Sequence, residues 1–189
     1  MCTQQSAVPN RWSKYSVRWS PEAQPAARAI EMQICEAFKG VSREGGVSWS
    51  ESYVIDDYGT MDERLAARAM DRDTSWQQLV RARHWNRGHG AGGFSFLDAI
   101  GFRYYLPAAL IQSIRAGHDM NICFHLIVPP PSDRLHEHSV QQCSLLDLNQ
   151  CRAVAAATRI MIVIDPWARA FGISQWQAAL ESHWATFEA

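Results

Sequence analysis

One stretch of the sequence, residues 94–117, constrains the fold more than any other because it is the most aromatic and apolar part of the chain. Its first half brings together five aromatic rings: Phe94, Phe96, Phe102, Tyr104 and Tyr105. Each large ring can bury on the order of 150–250 Å². Such a segment is more typical of a folding core than of a reaction centre, so we expect the chain to be organised around it.

The second half of this stretch predicts a helix. Pro107 suits the first turn of a helix, where its missing N–H is not needed and its φ is already helical. Leu106, Leu110 and Ile114 recur at helical spacing. Gly117 then follows as a typical C-terminal cap. We therefore expect a helix that has Pro107 in its first turn and ends at Gly117.

Helix signals recur along most of the remaining chain. They predict a first helix that ends near Phe38 and a long helix over residues 148–164, buried nearly all round in its second half. Short strands are conceivable only near residues 47–49 and 122–128, and the second of these segments equally suits a short apolar helix. Residues 132–144 look like a surface loop. The expected fold is mainly α. Residues 21–189 form a single compact helical domain with at most a minor strand pair, preceded by a flexible N-terminal arm of residues 1–20.

Three helix starts are marked by capping residues. Thr60 followed by Glu63, and Asp147 followed by Gln150, are capping-box patterns, and Ser174 is a good N-cap for the last helix. The helix that Thr60 opens carries an apolar set that we expect to face the core. This set comprises Leu65, Ala66, Ala69 and Met70.

Composition excludes several classes of protein. A chain with 47% apolar and 20% charged residues is globular. Its net charge of −1 argues against broad nucleic-acid binding, and its longest apolar run, residues 160–164, is far too short to span a membrane. Five cysteines without a CxxC pair indicate reduced thiols in a cytoplasmic protein.

An acidic block is the best polar candidate for function. Residues 43–75 hold eight acids against four arginines. Those acids are Glu44, Glu51, Asp56, Asp57, Asp62, Glu63, Asp71 and Asp73. Capping and first-turn positions explain Asp62, Glu63 and Asp73 locally, whereas Asp56 and Asp57 have no obvious capping role. An acidic surface can steer a basic partner. We therefore predict a partner-binding surface made of Asp56, Asp57, Tyr58, Asp62 and Glu63.

Signals for catalysis are weak. His136 and His138 lack the i, i+4 spacing of a helical metal motif, and no GxSxG sequence is present. The glycine-rich residues 83–93 match no phosphate-binding pattern. We predict neither a metal site nor a cofactor. The alternative that stays open is a metal-assisted hydrolase that uses Asp56, Asp57 and a histidine.

Arg103 lies between two aromatic residues, so we expect it to be structural. A buried guanidinium needs a partner, because an unpaired buried charge is costly. Either Asp98 or the Asp56–Asp57 pair could supply it.

Three segments of the chain resemble, in order and spacing, an uncharacterised bacterial family: VIDDYGTMDERLAARAMDRDTSW, FSFLDAIGFRYYLPAAL and LNQCRAVAA. The resemblance spans about residues 30–160, and its most specific part is a core motif that includes Asp98, Phe102, Arg103, Tyr105, Leu106 and Pro107. The family carries no established activity. Some small bacterial proteins of this sort look like immunity or accessory factors near toxin genes. The resemblance therefore implies a non-enzymatic protein-binding factor, with an immunity-type inhibitor of a toxin or effector as its specific form.

Overall fold

A computed structural model of the chain describes residues 23–82, 85, 93–165 and 174–188. Over these residues it contains helices and no strand. The α-helices are α1 (Ala23–Ala37), α2 (Trp49–Asp56), α3 (Met61–Arg68), α4 (Trp76–Arg81), α5 (Ala99–Ala116), α6 (Cys123–Leu126), α7 (His136–Cys143), α8 (Leu148–Ile164) and α9 (Gln175–Ser182). Two 3-10 turns cover Gly93–Phe96 and Trp184–Phe187. The predicted mainly α fold is confirmed.

Several predicted segments change their assignment or lie beyond the description. The possible strand near residues 47–49 is replaced by the start of α2, and of the two alternatives for residues 122–128 the short helix, α6, is the one that forms. The predicted arm of residues 1–20 lies outside the described residues, as does most of the glycine-rich segment 83–93. No helix in the described ranges is both long and apolar enough to cross a membrane.

Helix α5 is the centre of the fold, and it starts earlier than Pro107 predicted. Asp98 is its N-cap, and the Asp98 carboxylate accepts hydrogen bonds from the N–H groups of Gly101 (2.8 Å) and Val47 (3.0 Å). Pro107 therefore lies inside the helix, where it removes one intrahelical hydrogen bond. The predicted end is confirmed, because Gly117 adopts a left-handed conformation with φ 69.

The residues of α5 are buried on nearly every side, because α1, α4, α7 and α8 all pack against it. The core motif supplies fully buried side chains, including Phe102, Tyr105 and Leu106. The aromatic stretch is thus the folding core, as predicted. Helix α8 in turn packs against α1 and α9 and joins the C-terminal part to the same core.

Arg103 is half-buried and contacts a neutral amide. Its Nε donates to Gln150 Oε1 at 3.0 Å, and no ion pair within the described ranges joins Arg103 to an acid. The predicted pairing with Asp98 or with Asp56–Asp57 is therefore wrong. Asp98 is occupied in capping α5, and Gln150 also donates to the carbonyl oxygen of Ala37 at 3.1 Å. Arg103 thus links α5 to the start of α8.

Two further expectations are wrong. Residues 132–144 contain the helix α7 rather than only a loop; its buried inner residue is Gln142, whose amide donates to the carbonyl oxygens of Phe94 (2.7 Å) and Leu97 (2.9 Å). Because the inward contact of α7 is made by a polar residue, the sequence of α7 shows no apolar stripe that would predict a helix. The second half of α8 is also less buried than predicted, since Val163 is exposed.

The cysteines depart from the expected reduced set at one position. Cys35 is disulfide-bonded, whereas Cys123, Cys143 and Cys151 are free. The prediction of reduced thiols is therefore wrong for Cys35.

Candidate functional site at the α2–α3 corner

The corner between α2 and α3 is organised by one buried carboxylate. Ser48 and Glu51 form a capping box at the start of α2, in which the Ser48 N–H donates to Glu51 Oε2 at 3.2 Å. Glu51 is only 2% exposed. Its two oxygens also receive Arg64 Nη2 at 3.0 Å and Arg68 Nη2 at 2.7 Å. The buried negative charge is thus compensated by two guanidinium groups, as a buried charge requires.

These two arginines set the orientation of α3. Arg64 and Arg68 are one turn apart, so both lie on the helix face that turns toward Glu51. The large apolar residues of α3 consequently lie on the outer face, whereas the small Ala67 is buried. Leu65 is 55% exposed and Met70 is 73% exposed. The prediction that Leu65, Ala66, Ala69 and Met70 face the core is wrong, since all four are exposed.

Two acids of the block hold the fold together. Asp71 accepts from the N–H and the hydroxyl of Ser50, both at 2.7 Å. Asp73 accepts from the Tyr104 hydroxyl at 2.7 Å, and burial together with this carboxylate raises the pKa of Tyr104. Asp73 does not cap α4, whose N-cap residue is Ser75. These two carboxylates of the acidic block therefore stabilise the fold.

Asp56 and Asp57 stand apart from that network. Asp56 is the last residue of α2 and Asp57 is its C-cap. Within the described ranges, neither carboxylate makes a hydrogen bond or an ion pair. Both lie at the C-terminal end of a helix, where the dipole disfavours a negative charge.

Tyr58 follows in a left-handed conformation with φ 57, and its side chain is 97% exposed. Its N–H donates to the Ile55 carbonyl at 3.1 Å, and the Gly59 N–H donates to the Val54 carbonyl at 2.8 Å. These two bonds define a Schellman motif in which Tyr58 occupies the position that glycine usually fills. Tyr58 therefore presents a fully exposed ring from a backbone position that disfavours large side chains.

The first turn of α3 completes the run of predicted site residues. Thr60 and Glu63 form the expected capping box, with the Glu63 carboxylate accepting from the Thr60 N–H at 2.7 Å. This backbone hydrogen bond lowers the pKa of Glu63. Glu63 thus has a capping role, and both Glu63 and the neighbouring Asp62 are exposed. The structure places Asp56, Asp57, Tyr58, Asp62 and Glu63 in one short run around the turn.

The apolar part of this surface was missed by sequence reasoning. We define the corner surface by the acidic, aromatic and apolar residues that line it, all of them exposed except the half-buried Asp56: Asp56, Asp57, Tyr58, Met61, Asp62, Leu65, Ala66, Ala69 and Met70. The signal that could have found it is the i, i+4 pair Arg64 and Arg68. Together with an acid on the preceding helix, such a pair favours a polar inner face.

The described residues also bear on catalytic chemistry. In this part of the chain no group of three His, Cys, Asp or Glu side chains could hold a metal ion. Burial raises the pKa of Cys143 to about 12 and also raises that of Cys123, so both thiols are protonated at neutral pH. Burial, with a smaller contribution from His138, lowers the pKa of His125 to about 4.

Searches of curated proteins and of solved structures each found no match to the chain. A family model described as "Family of unknown function (DUF6714)" matches residues 26–188. This range covers most of the chain, and it confirms the resemblance to an uncharacterised family. The protein therefore belongs to the DUF6714 family of unknown function.

Proposed function

We propose that this protein is a non-enzymatic factor that binds a basic partner protein through the corner surface. The observation that carries the proposal is the inverted orientation of α3, which directs arginines inward and apolar side chains outward. In its specific form, the proposal describes a bacterial inhibitor of the immunity type, whose partner is a toxin or effector.

In the proposed complex, the apolar residues of the corner surface would contribute most of the binding free energy. Met61 is 60% exposed, and together with Leu65 and Met70 it exposes three large apolar side chains on or just after one short helix. Single exposed apolar residues need no explanation, but a contiguous set rimmed by polar groups is typical of an interaction site. Burial of these groups by a partner would release about 25 cal/mol per Å² of apolar area.

In the proposed complex, the charges of the corner surface would select a basic partner. Asp56, Asp57 and Asp62 flank the apolar residues along the chain, and the two arginines of α3, Arg64 and Arg68, are bound to Glu51. The negative rim is therefore free to attract lysine and arginine side chains. Rim charges of this kind speed the encounter with a basic partner and disfavour acidic ones.

The hydrolase alternative receives no such support. It needs Asp56, Asp57 and a histidine to meet at one metal ion. In the described ranges no three ligating side chains come together, and His84 and His89 lie outside those ranges.

Affinity capture with a matched control tests the proposal. Leu65→Ser removes an apolar side chain from the corner surface, and Leu148→Ser removes one of equal exposure, 54% against 55%, from the start of α8. A tagged wild-type protein and both variants are incubated with a lysate of the source cells. Bound proteins are identified by mass spectrometry and then titrated in purified form.

We expect at least one basic protein to be retained by wild type and by Leu148→Ser and lost from Leu65→Ser. If that protein is a toxin, its activity should fall when wild type is added. The same bound proteins with all three baits would contradict the proposal, because binding would then not use the corner surface.

A further inference from the structure

We infer that the corner surface receives an amphipathic helix of the basic partner, and that Tyr58 is the residue that anchors it. This inference rests on the proposed function and specifies the recognised element. Three observations carry it: the shape of the outer α3 face, the distribution of charge along it, and the conformation of Tyr58.

The outer face of α3 suits a helix as its neighbour. Helix α3 packs against α2 on its inner side. The exposed apolar residues on and just after α3 differ in size: Ala66 and Ala69 are small, whereas Met61, Leu65 and Met70 are large. Large side chains separated by small ones form the ridges and grooves into which a second helix packs. The eight residues of α3 span about 12 Å, so two turns of a partner helix would cover it.

The described part of the chain offers no site for the capture of a peptide by strand addition. Addition of a peptide strand requires a free sheet edge. Over the described ranges the chain has no strand. A helical occupant is therefore favoured over an added strand.

The acidic side chains of the corner surface are concentrated at the N-terminal end of α3. Asp56 and Asp57 close α2, and Asp62 lies in the first turn of α3. The apolar residues Leu65 and Met70 lie beyond them toward the C-terminal end. A complementary helix would thus carry leucine-like residues along one face and lysine or arginine on the flank that meets the three carboxylates.

Tyr58 stabilises the fold neither through a favourable backbone conformation nor through packing of its side chain. A left-handed conformation is unfavourable for a residue with a Cβ, and a ring that is 97% exposed buries almost nothing within the chain. Strain at a sparsely populated backbone region is typical of functional positions. Tyrosine is also among the residues that most often dominate binding energy at interfaces. These facts together assign Tyr58 as the anchor for the partner helix.

The test uses two synthetic helical peptides with the same leucines along one face. One has lysines at the flanking positions and the other has glutamates. Each is titrated into wild type, Tyr58→Gly and Phe124→Ala, because Phe124 is an exposed aromatic residue on α6, outside the corner surface. The melting temperature of each variant is measured in parallel.

We expect saturable binding of the lysine peptide to wild type and to Phe124→Ala, and no binding of the glutamate peptide. Tyr58→Gly should bind the lysine peptide about ten-fold or more weakly. It should melt at the same temperature as wild type or about 1–3 °C higher, because glycine relieves the left-handed strain. Weaker binding from a protein that is no less stable separates an anchor from a structural residue.

Two results would overturn the inference and leave the proposed function standing. If the lysine peptide fails to bind while a protein is still captured in a Leu65-dependent way, the occupant is not a simple basic helix. If Tyr58→Gly binds the lysine peptide as tightly as wild type, Tyr58 is not the anchor. Capture that is independent of Leu65 would instead overturn the proposed function itself.

Discussion

The guanidinium of Arg68 lies 2.7 Å from the carboxylate of Glu51, which is almost fully buried between α2 and α3. This contact and its neighbour from Arg64 determine which side of α3 faces solvent. The outward display of Leu65 and Met70 therefore depends on an ion-pair cluster in the interior rather than on an apolar inner face.

Removal of the Glu51 charge should destabilise the fold strongly. In Glu51→Gln, two partly buried guanidinium groups lose their counter-charge. Breaking one side of a buried pair typically costs about 3–5 kcal/mol. Urea unfolding measures the loss. Glu36→Gln is the matched control, because Glu36 pairs with Lys39 on the surface, where a pair contributes about 0–1 kcal/mol. Equal small losses in both variants would contradict the assigned role of Glu51.

Gly59 should be sensitive to a single added methyl group. A Cβ at Gly59 would lie 2.3 Å from Cγ1 of Val54, and valine is stiff in a helix. We expect Gly59→Ala to lower the free energy of unfolding by about 1–3 kcal/mol, measured by urea unfolding. The double variant Gly59→Ala/Val54→Ala should recover part of that loss. If the single variant is as stable as wild type, the turn has room that the structure does not show.

Arg103→Ala should lower the free energy of unfolding only modestly. Its partner is the amide of Gln150 and not a carboxylate, so the loss is that of one hydrogen bond to a charged group, about 1.5–3 kcal/mol at most. The half-buried position favours the lower end of that range. Thermal or urea unfolding checks the value. A loss above about 4 kcal/mol would indicate the buried ion pair that the sequence had predicted.

His125 should make stability depend on pH. Burial lowers its pKa from the ordinary 6.5 to about 4, so between these values the unfolded chain binds more protons than the folded one. Stability therefore rises with pH across this window and is lost as pH falls from about 6.5 to 4. A difference of that size corresponds to roughly 3 kcal/mol.

Unfolding free energies of wild type and His125→Gln, measured from pH 7 to pH 4, check this dependence. The variant should show a flatter profile, whatever its stability at pH 7. Parallel profiles for wild type and His125→Gln would show that another group titrates.

Local signals in the sequence predicted local structure well. The capping boxes at Thr60–Glu63 and Asp147–Gln150 and the cap at Ser174 are all present, as is the end of α5 at Gly117. Each depends on residues within one turn of each other, so no tertiary information is needed. The aromatic content of α5 likewise identified the core, because so much apolar surface has to be buried.

Features that depend on distant contacts were not predictable in the same way. An apolar stripe shows which face of a helix is apolar, but not which face is inside. On α3 the distant Glu51 reverses the usual answer. The apolar repeat of α5 predicts a helix start at Pro107. The true N-cap, Asp98, which also accepts a hydrogen bond from the Val47 N–H, lies outside that repeat. The sequence does not predict α7, because the residue that this helix turns inward is the polar Gln142.

The most direct test of the central claim is calorimetric titration of the captured basic partner into the double variant Asp56→Asn/Asp57→Asn. The control, Glu137→Gln/Glu181→Gln, removes two charges at exposed positions of α7 and α9. Titrations are run at ionic strengths of about 0.01 M and 0.15 M, where the Debye length is about 30 Å and 8 Å.

We predict a double variant that is as stable as wild type or slightly more stable, because carboxylates at a helix C-terminus are disfavoured by about 0.3–1 kcal/mol each. It should bind the partner more weakly than the control does, with the larger difference at the lower ionic strength. Equal affinities of the double variant and the control at both ionic strengths would contradict the claim that Asp56 and Asp57 belong to the binding surface.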